Sequence, residues 1–335
     1  MIEFHFSFVI PVYNRPQEIK ELLESFKKIK GTFEIVIVED GSKETCKDIV
    51  DDFKDFLNIS YYYKENTGPG DSRNYGMKKA KGNYFIILDS DVILPEDYLE
   101  TVSKNLSQKY FDCYGAADKA LDSFTITQKA IDYAMTSLLT SGGIRGSVKS
   151  RASRSYEPRS FNMGISKHAF IESEGFDDIH PGEDPDLSIR LKRKGFKVGY
   201  IHGAHVYHKR RASLRQFATQ VYKFGLVRPI LISRYPESSK LTYWFPFIYT
   251  LGLVLGLILL FIELHFIIYF YAMYNFLVFI DSLMDYKNLK IALLSVIATN
   301  IQFVSYGFGF IWSYFKILIL KKIPRETFPK LFFSK

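Results

Sequence analysis

In the stretch Ile87-Leu88-Asp89-Ser90-Asp91, two carboxylates stand two residues apart at the end of an apolar run over residues 84–88. Side chains at i and i+2 of an extended chain point the same way, so Asp89 and Asp91 face one small volume beyond the strand. In open α/β sheets, ligands bind in that volume, at the carboxyl ends of the strands. Two acids converging there repel each other unless a cation or donor groups sit between them. Hard oxygen ligands suit Mg2+ or Mn2+, and Mg2+ shares its coordination between carboxylates and substrate phosphates. A solvated Asp-rich turn is the plain reading of an isolated D-x-D, and the surroundings of this one argue against it.

A second acidic cluster lies in His180-Pro181-Gly182-Glu183-Asp184-Pro185-Asp186-Leu187. Asp184-Pro185 reads as an N-cap followed by Pro at the first position of a basic helix ending at Gly195. Glu183, Asp184 and Asp186 together bring more acid than one cap requires. Like-charge crowding raises a carboxylate's pKa and fits it to accept a proton near neutrality, so both readings of Asp184 stand. Asp40 ends an apolar run at Glu39-Asp40-Gly41-Ser42, as a turn residue or a ligand. Arg73 follows the Gly68-Pro69-Gly70 turn, where a guanidinium can grip phosphate oxygens bidentately or form a surface ion pair. His208 follows a strand and precedes Lys209-Arg210-Arg211, and a lone histidine is more often structural.

These residues need a scaffold. Residues 6–13, 33–38, 59–63 and 84–88 read as strands, the first followed by Asn14 as a helix cap and Pro16 in the first turn. Ile19, Leu22, Leu23, Phe26 and Ile29 recur at helical spacing, and Ile49, Phe53 and Leu57 form a second apolar face. A short helix spans residues 71–81, and residues 198–201 form a later strand. Alternating β and α units imply a parallel sheet with right-handed crossovers, with Asp40 and Asp89/Asp91 on one edge. Residues 138–160, rich in Ser, Gly and Arg, read as a mobile loop.

The 335 residues can hold one large or two ordinary domains. Overall hydropathy near zero conceals a split between a soluble α/β part, residues 1–235, and an apolar part, residues 241–320. With only Cys46 and Cys113 there is no disulfide framework, and a reducing compartment is expected. No charged n-region with an apolar h-region opens the sequence, so no secretory signal peptide is expected. The net charge of +8 concentrates around residues 145–159, 190–197, 209–215 and 316–330. That pattern fits an anionic membrane face or phosphorylated substrates, and nucleic acid is not the expected partner. Residues 241–262, 265–280 and 291–320 are long apolar stretches, giving two or three spans with an interfacial helix as an alternative end. A basic tail, residues 321–335, and Arg228, Arg234 and Lys240 before the first stretch put both flanks in the cytoplasm, which requires an even number of spans.

The chain resembles an inverting family 2 glycosyltransferase with a GT-A fold, of the membrane-attached bacterial type. The resemblance covers residues 5 to 225 and rests on several motifs in order. They are Val9-Ile10-Pro11-Val12-Tyr13-Asn14-Arg15-Pro16, Val38-Glu39-Asp40-Gly41-Ser42, Gly68-Pro69-Gly70-Asp71-Ser72-Arg73-Asn74-Tyr75-Gly76 and Asp89-Ser90-Asp91. Phe161-Asn162-Met163-Gly164, Gly175-Phe176-Asp177 and Gly182-Glu183-Asp184-Pro185-Asp186-Leu187 complete the set. Glu39 stands where a second Asp is common, and Asp-Ser stands before Arg73 where Ala often does.

The resemblance implies a nucleotide-sugar donor held by Pro11, Tyr13, Asn14, Asp40, Arg73, Asp89 and Ser90, with Asp40 accepting from a uracil ring. It implies Mn2+ or Mg2+ on Asp91, with Asp89 and His208 alongside. It implies Asp184 as the general base, with Glu183 as its rival. The expected reaction moves a sugar, from a UDP-sugar, to a hydroxyl of a membrane- or lipid-linked saccharide in cell-surface polysaccharide synthesis. The expected location is the cytoplasmic (inner) membrane, with the catalytic domain facing the cytoplasm. A polyprenyl-phosphate glycosyltransferase and a non-catalytic membrane scaffold of the same fold are the alternatives.

Overall fold

The computed structural model describes residues 3–119, 123–142, 156–209 and 212–333. In chain order they form β1 (Phe6–Val12), α1 (Pro16–Phe26), β2 (Phe33–Asp40), α2 (Lys47–Phe53), β3 (Ile59–Lys64) and α3 (Pro69–Lys79). Next come β4 (Tyr84–Leu88), β5 (Val92–Ile93), α4 (Tyr98–Gln108), β6 (Cys113–Gly115), β7 (Asp118–Lys119), α5 (Ile126–Thr136) and α6 (Leu138–Ser141). They are followed by β8 (Asn162–Ser166), α7 (Lys167–Ser173), α8 (Glu183–Arg193), β9 (Val198–Tyr200) and β10 (Val206–His208). The chain ends in α9 (Leu214–Arg234), α10 (Leu241–Leu259), α11 (Phe266–Tyr286), α12 (Leu289–Ser313) and α13 (Pro324–Thr327).

Two compact units result, one of Met1–Leu121, Ile144–Lys209 and Phe332–Lys335, the other of Asp122–Gly143 and Arg210–Leu331. The first contains a seven-stranded sheet in the order β3-β2-β1-β4-β8-β6-β9 and a small sheet β5-β10-β7. Strand periodicity builds its two cores. On β1, Phe6, Phe8, Ile10 and Val12 enter the layer with α1 and α4, while Val9 joins Val36, Val38, Phe85 and Ile87 on the opposite face. β1 pairs in parallel with both β2 and β4, so the ends of β2 and β4 open on one edge of the sheet.

The sheet is mixed rather than parallel, because β8 runs antiparallel to both β4 and β6. The connection from β7 to β8 passes through the second unit instead of a single crossover helix, which frees β8 from the parallel rule.

The line between the units also differs from the expected break at residue 235. α9 belongs to the second unit, and α5 and α6 are an insertion of that unit into the first part of the sequence. Ile131, Ala134 and Met135 of α5, Phe217 and Val221 of α9, and Ala298 of α12 share one apolar cluster. Asp281 of α11 accepts hydrogen bonds from Tyr133 at 2.6 Å and Ser137 at 3.1 Å. Part of the loop expected over 138–160 is helical, in α6, and residues 143–155 lie outside the described residues.

Three helical stretches are long and apolar enough to cross a membrane: Leu241–Ile262, Phe266–Tyr286 and Leu289–Ile319. Polar side chains inside this bundle find one another. Tyr249 donates to Asn300 at 2.6 Å, and Asn300 donates to Asn275 at 2.6 Å.

Candidate active site

β4 releases the chain at Leu88, and Asp89, Ser90 and Asp91 carry it into β5. β5 pairs with β10 so that Val92 faces His208. That pairing brings the imidazole Nε2 to 3.2 Å from Asp91 Oδ1, and ligand atoms of Asp89, Asp91 and His208 all lie within 4.8 Å of one another. Phe161 stacks on the imidazole at 5.0 Å and 27°, and Asp118 lies 3.6 Å from its Nδ1. Arg15, at the start of α1, donates to Asp91. Burial works against charge on Asp91, but His208 and Arg15 outweigh it and hold the carboxyl well below the usual carboxylate range. Two hard carboxylates and an imidazole held this closely fit a divalent cation such as Mn2+ or Mg2+. Arg210 and Arg211 lie outside the described residues.

Arg73 emerges from the second turn of α3 and is buried. It bridges two acids, donating to Asp89 at 2.9 Å and to Glu183 at 3.0 Å. Its guanidinium lies over the Phe176 ring at 5.4 Å. Asn74 secures that ring's backbone by donating to the Phe176 carbonyl and accepting from its N–H, both at 2.8 Å. Desolvation alone would lower the Arg73 pKa, yet Asp89 and Glu183 more than compensate and raise it. Glu183 also pairs with His180 Nδ1 at 3.0 Å. Burial pushes the Glu183 carboxyl up, but His180 and Arg73 prevail and keep it ionised well below the usual range.

Asp184 stands apart from this pairing. α8 begins at Glu183 with Gly182 as its N-cap, at φ +126°, so Asp184 is in the first turn and is not the cap. The left-handed glycine starts the helix earlier than the Asp-Pro pair implied. Asp184 Oδ1 is sealed from solvent and has no hydrogen-bond partner. Burial first, and the neighbouring Glu183 carboxylate second, push its pKa up to about 6. Glu183 is committed to Arg73 and His180, whereas Asp184 retains a vacant acceptor.

The remaining residues expected to hold a donor line the ends of β1 and β2. Pro11 lies in β1 opposite Val38, Tyr13 is 51% exposed just beyond it, and Ser90 is buried. Asn14 does not cap α1. At φ +51° it turns away, and its side chain accepts from Lys43 N at 2.8 Å and Glu44 N at 3.2 Å, bracing the turn after β2. Asp40 accepts from Lys64 at 2.6 Å, from Thr67 N at 3.0 Å and from Gly68 N at 3.0 Å, which ties β2 to the start of α3. Glu39 points into the core, accepting from Cys46 N at 2.8 Å and Tyr61 at 3.2 Å. Arg15 and His180 escaped the sequence reading. Arg15 sits inside the first motif, and His180 lies three residues before Glu183, so position offered a signal that residue type did not.

Residues 7–169 match the family model described as glycosyl transferase family 2. Over these residues, just under half of the chain, the sequence is similar to family 2 glycosyltransferases. Chondroitin synthase of Escherichia coli is 27% identical over 239 residues, covering 61% of this chain and 34% of that protein. The poly(ribitol-phosphate) beta-N-acetylglucosaminyltransferase TarS of Staphylococcus aureus is 32% identical over 112 residues, 32% of this chain and 20% of that protein. This chain therefore spans about a third or less of the length of these relatives. The mannosyltransferase PcManGT of Pyrobaculum calidifontis, solved in complex with GDP-Man and Mn2+, aligns over 90% of this chain and 88% of its own. Its TM-score is 0.62 at 12% identity, a likeness of fold, and the fold is GT-A.

Proposed function

We propose that this chain is an inverting, divalent-metal-dependent glycosyltransferase of family 2. It moves a sugar from a nucleoside-diphosphate donor, a UDP-sugar, to a hydroxyl of a membrane- or lipid-linked saccharide at the cytoplasmic membrane. One observation carries the reading: Asp184, a carboxylate with a vacant, sealed oxygen, follows Glu183, which connects through Arg73 to the Asp89–Asp91–His208 cluster. A proton acceptor and a metal-competent acid pair thus belong to one network. The relatives that act on polysaccharides support the acceptor class, and the mannosyltransferase bound to GDP-Man and Mn2+ supports the metal.

Asp184 takes the proton of the acceptor hydroxyl as that oxygen attacks the anomeric carbon. The bond from that carbon to the diphosphate breaks on the opposite face, the electron pair leaves with the nucleoside diphosphate, and configuration inverts. Asp91, Asp89 and His208 would hold a divalent cation, which would supply charge neutralisation for the departing diphosphate. Arg73 bridges Asp89 and Glu183 and fixes both, its terminal nitrogens engaged by those two acids. An apolar tail that spans or lies on the bilayer raises the local concentration of a membrane-bound acceptor.

The test is a donor panel. Purified protein with membrane extract and Mn2+ should release UDP from a UDP-sugar, and EDTA or Asp91→Asn should abolish both release and UDP binding. UDP affinity indifferent to EDTA sinks the metal assignment. Full transfer by Asp184→Asn would favour a phosphate acceptor, which needs no base.

A further inference from the structure

The last described residues return to the first unit. Phe332 forms an antiparallel bridge with Ile179, and the Phe333 N–H donates to the Asp178 carbonyl at 3.1 Å. The Phe333 ring then lies directly on Gly68. A β-carbon at Gly68 would come within 2.4 Å of the ring, and the residue sits at φ +96°, so glycine is required there twice over. The centroid of the same ring lies 6.0 Å from that of the His180 ring.

Both neighbours are wired into the candidate active site. Gly68 N–H donates to Asp40 Oδ2 at 3.0 Å. His180 holds Glu183 at 3.0 Å, Glu183 holds Arg73 at 3.0 Å, and Arg73 holds Asp89 at 2.9 Å. One half-buried aromatic ring therefore touches the ends of two separate hydrogen-bonded arms, one from β2 and one from the start of α8. A rigid ring in contact with both neighbours links them through one body.

We infer that Phe333 is a positioning residue for the donor site: it bolts the Thr67–Gly68 turn to the 178–180 loop and keeps Asp40 and the Glu183–Arg73–Asp89 relay in register. The inference rests on the donor-binding reading of Asp40 and Arg73 proposed above. It adds a requirement that no family motif contains, since Phe333 lies more than a hundred residues beyond the last of them.

Full-length protein in detergent, wild type against Phe333→Ala and Phe333→Tyr, tests it with two readouts. In Phe333→Ala, amide exchange over residues 64–70 and 177–183 should quicken about tenfold or more while the rest of the first unit keeps its protection. UDP affinity with Mn2+ should fall about tenfold, with the donor KM raised and kcat largely kept. Phe333→Tyr should restore both. Unchanged exchange in the two stretches overturns the bolt whatever UDP does, and so does loosening spread over the whole unit. A wild-type protein that binds neither UDP nor GDP overturns the donor reading instead, and with it the assignment of the bolt to a donor site.

Discussion

Asp184 and Arg15 are the two side chains whose surroundings make sharp demands. The Asp184 pKa is raised from an ordinary value of about 3.9 to about 6, so the folded state holds that proton more tightly than the unfolded state does. Its contribution to stability is therefore full below pH ~3.9 and lost as pH rises through about 6. Asn carries no such penalty. Asp184→Asn should melt above wild type at pH 8 and with it at pH 4, the gap opening between, as thermal scans at both values will read. Transfer by wild type should fall as pH drops through about 6, and Asp184→Asn should transfer roughly 10² more slowly at any pH. Equal melting at pH 8 would mean that burial does not strain this carboxyl. Arg15 poses a different competition, since its guanidinium occupies the carboxylate that a divalent cation would need. Removing that rival should tighten Mn2+ binding to nucleotide-free protein by about tenfold in Arg15→Ala, measured from the free-Mn2+ spin resonance signal. Weaker binding would show that Arg15 preforms the site rather than competing for it.

At the scale of elements, what the sequence declared depended on how local the signal was. β1 to β4 and their helices follow from period-2 apolar runs and helical spacing, and Tyr84–Leu88 forms the strand its composition implied. Asp89 and Asp91 stood out because they lie together at one strand end, whereas His208, which ends β10, joined them only through the family resemblance. Which element carried each cap was not legible. Gly182 and Asn14 adopt left-handed backbone, and that displaced the caps read from Asp184 and Asn14. The antiparallel β8 and the membership of α5 and α9 in the second unit were also hidden, because their partners lie far along the chain. Ile131 and Phe217 meet Ala298 only after folding, and an amphipathic helix looks the same whichever core it serves. Those contacts set a prediction. A chain ending at Arg234 keeps α5 and α9 but strips them of α12, exposing Ile131, Met135, Phe217 and Val221. It should aggregate without detergent. Ending at Lys209 with residues 122–143 replaced by a short polar linker should instead give a soluble monomer by size exclusion and light scattering. A soluble monomer from the longer piece would mean that α9 needs no α12.

Over the whole molecule the chain leaves the first unit at Lys209 and re-enters it at Phe332. A body on one face of a bilayer can be left and re-entered only through an even number of crossings, yet three helices are long and apolar enough to cross. Two crossings rather than three are therefore expected. α10 and α11 are joined by residues 260–265 and expose most of their apolar side chains, as a crossing hairpin facing lipid must. α12 is the most buried of the three, packs against α5 and α9, and carries Asn300 and Gln302, with Lys316 just beyond its end. Gln302 donates to the Thr140 carbonyl of α6 at 3.3 Å, a partner that belongs to the insertion rather than to a span. We expect α10 and α11 to cross and α12 to lie at the interface, with basic residues before and after the bundle on one side. Cys46 and Cys113 are buried, so an impermeant maleimide can report single cysteines placed at exposed Lys43, Leu264 and Lys287 in sealed, sided vesicles. Lys43→Cys and Lys287→Cys should label from the same face, and Leu264→Cys from the other. Labelling of Lys287→Cys from the face opposite Lys43→Cys would make α12 a crossing helix and remove α10 or α11 from the bilayer core.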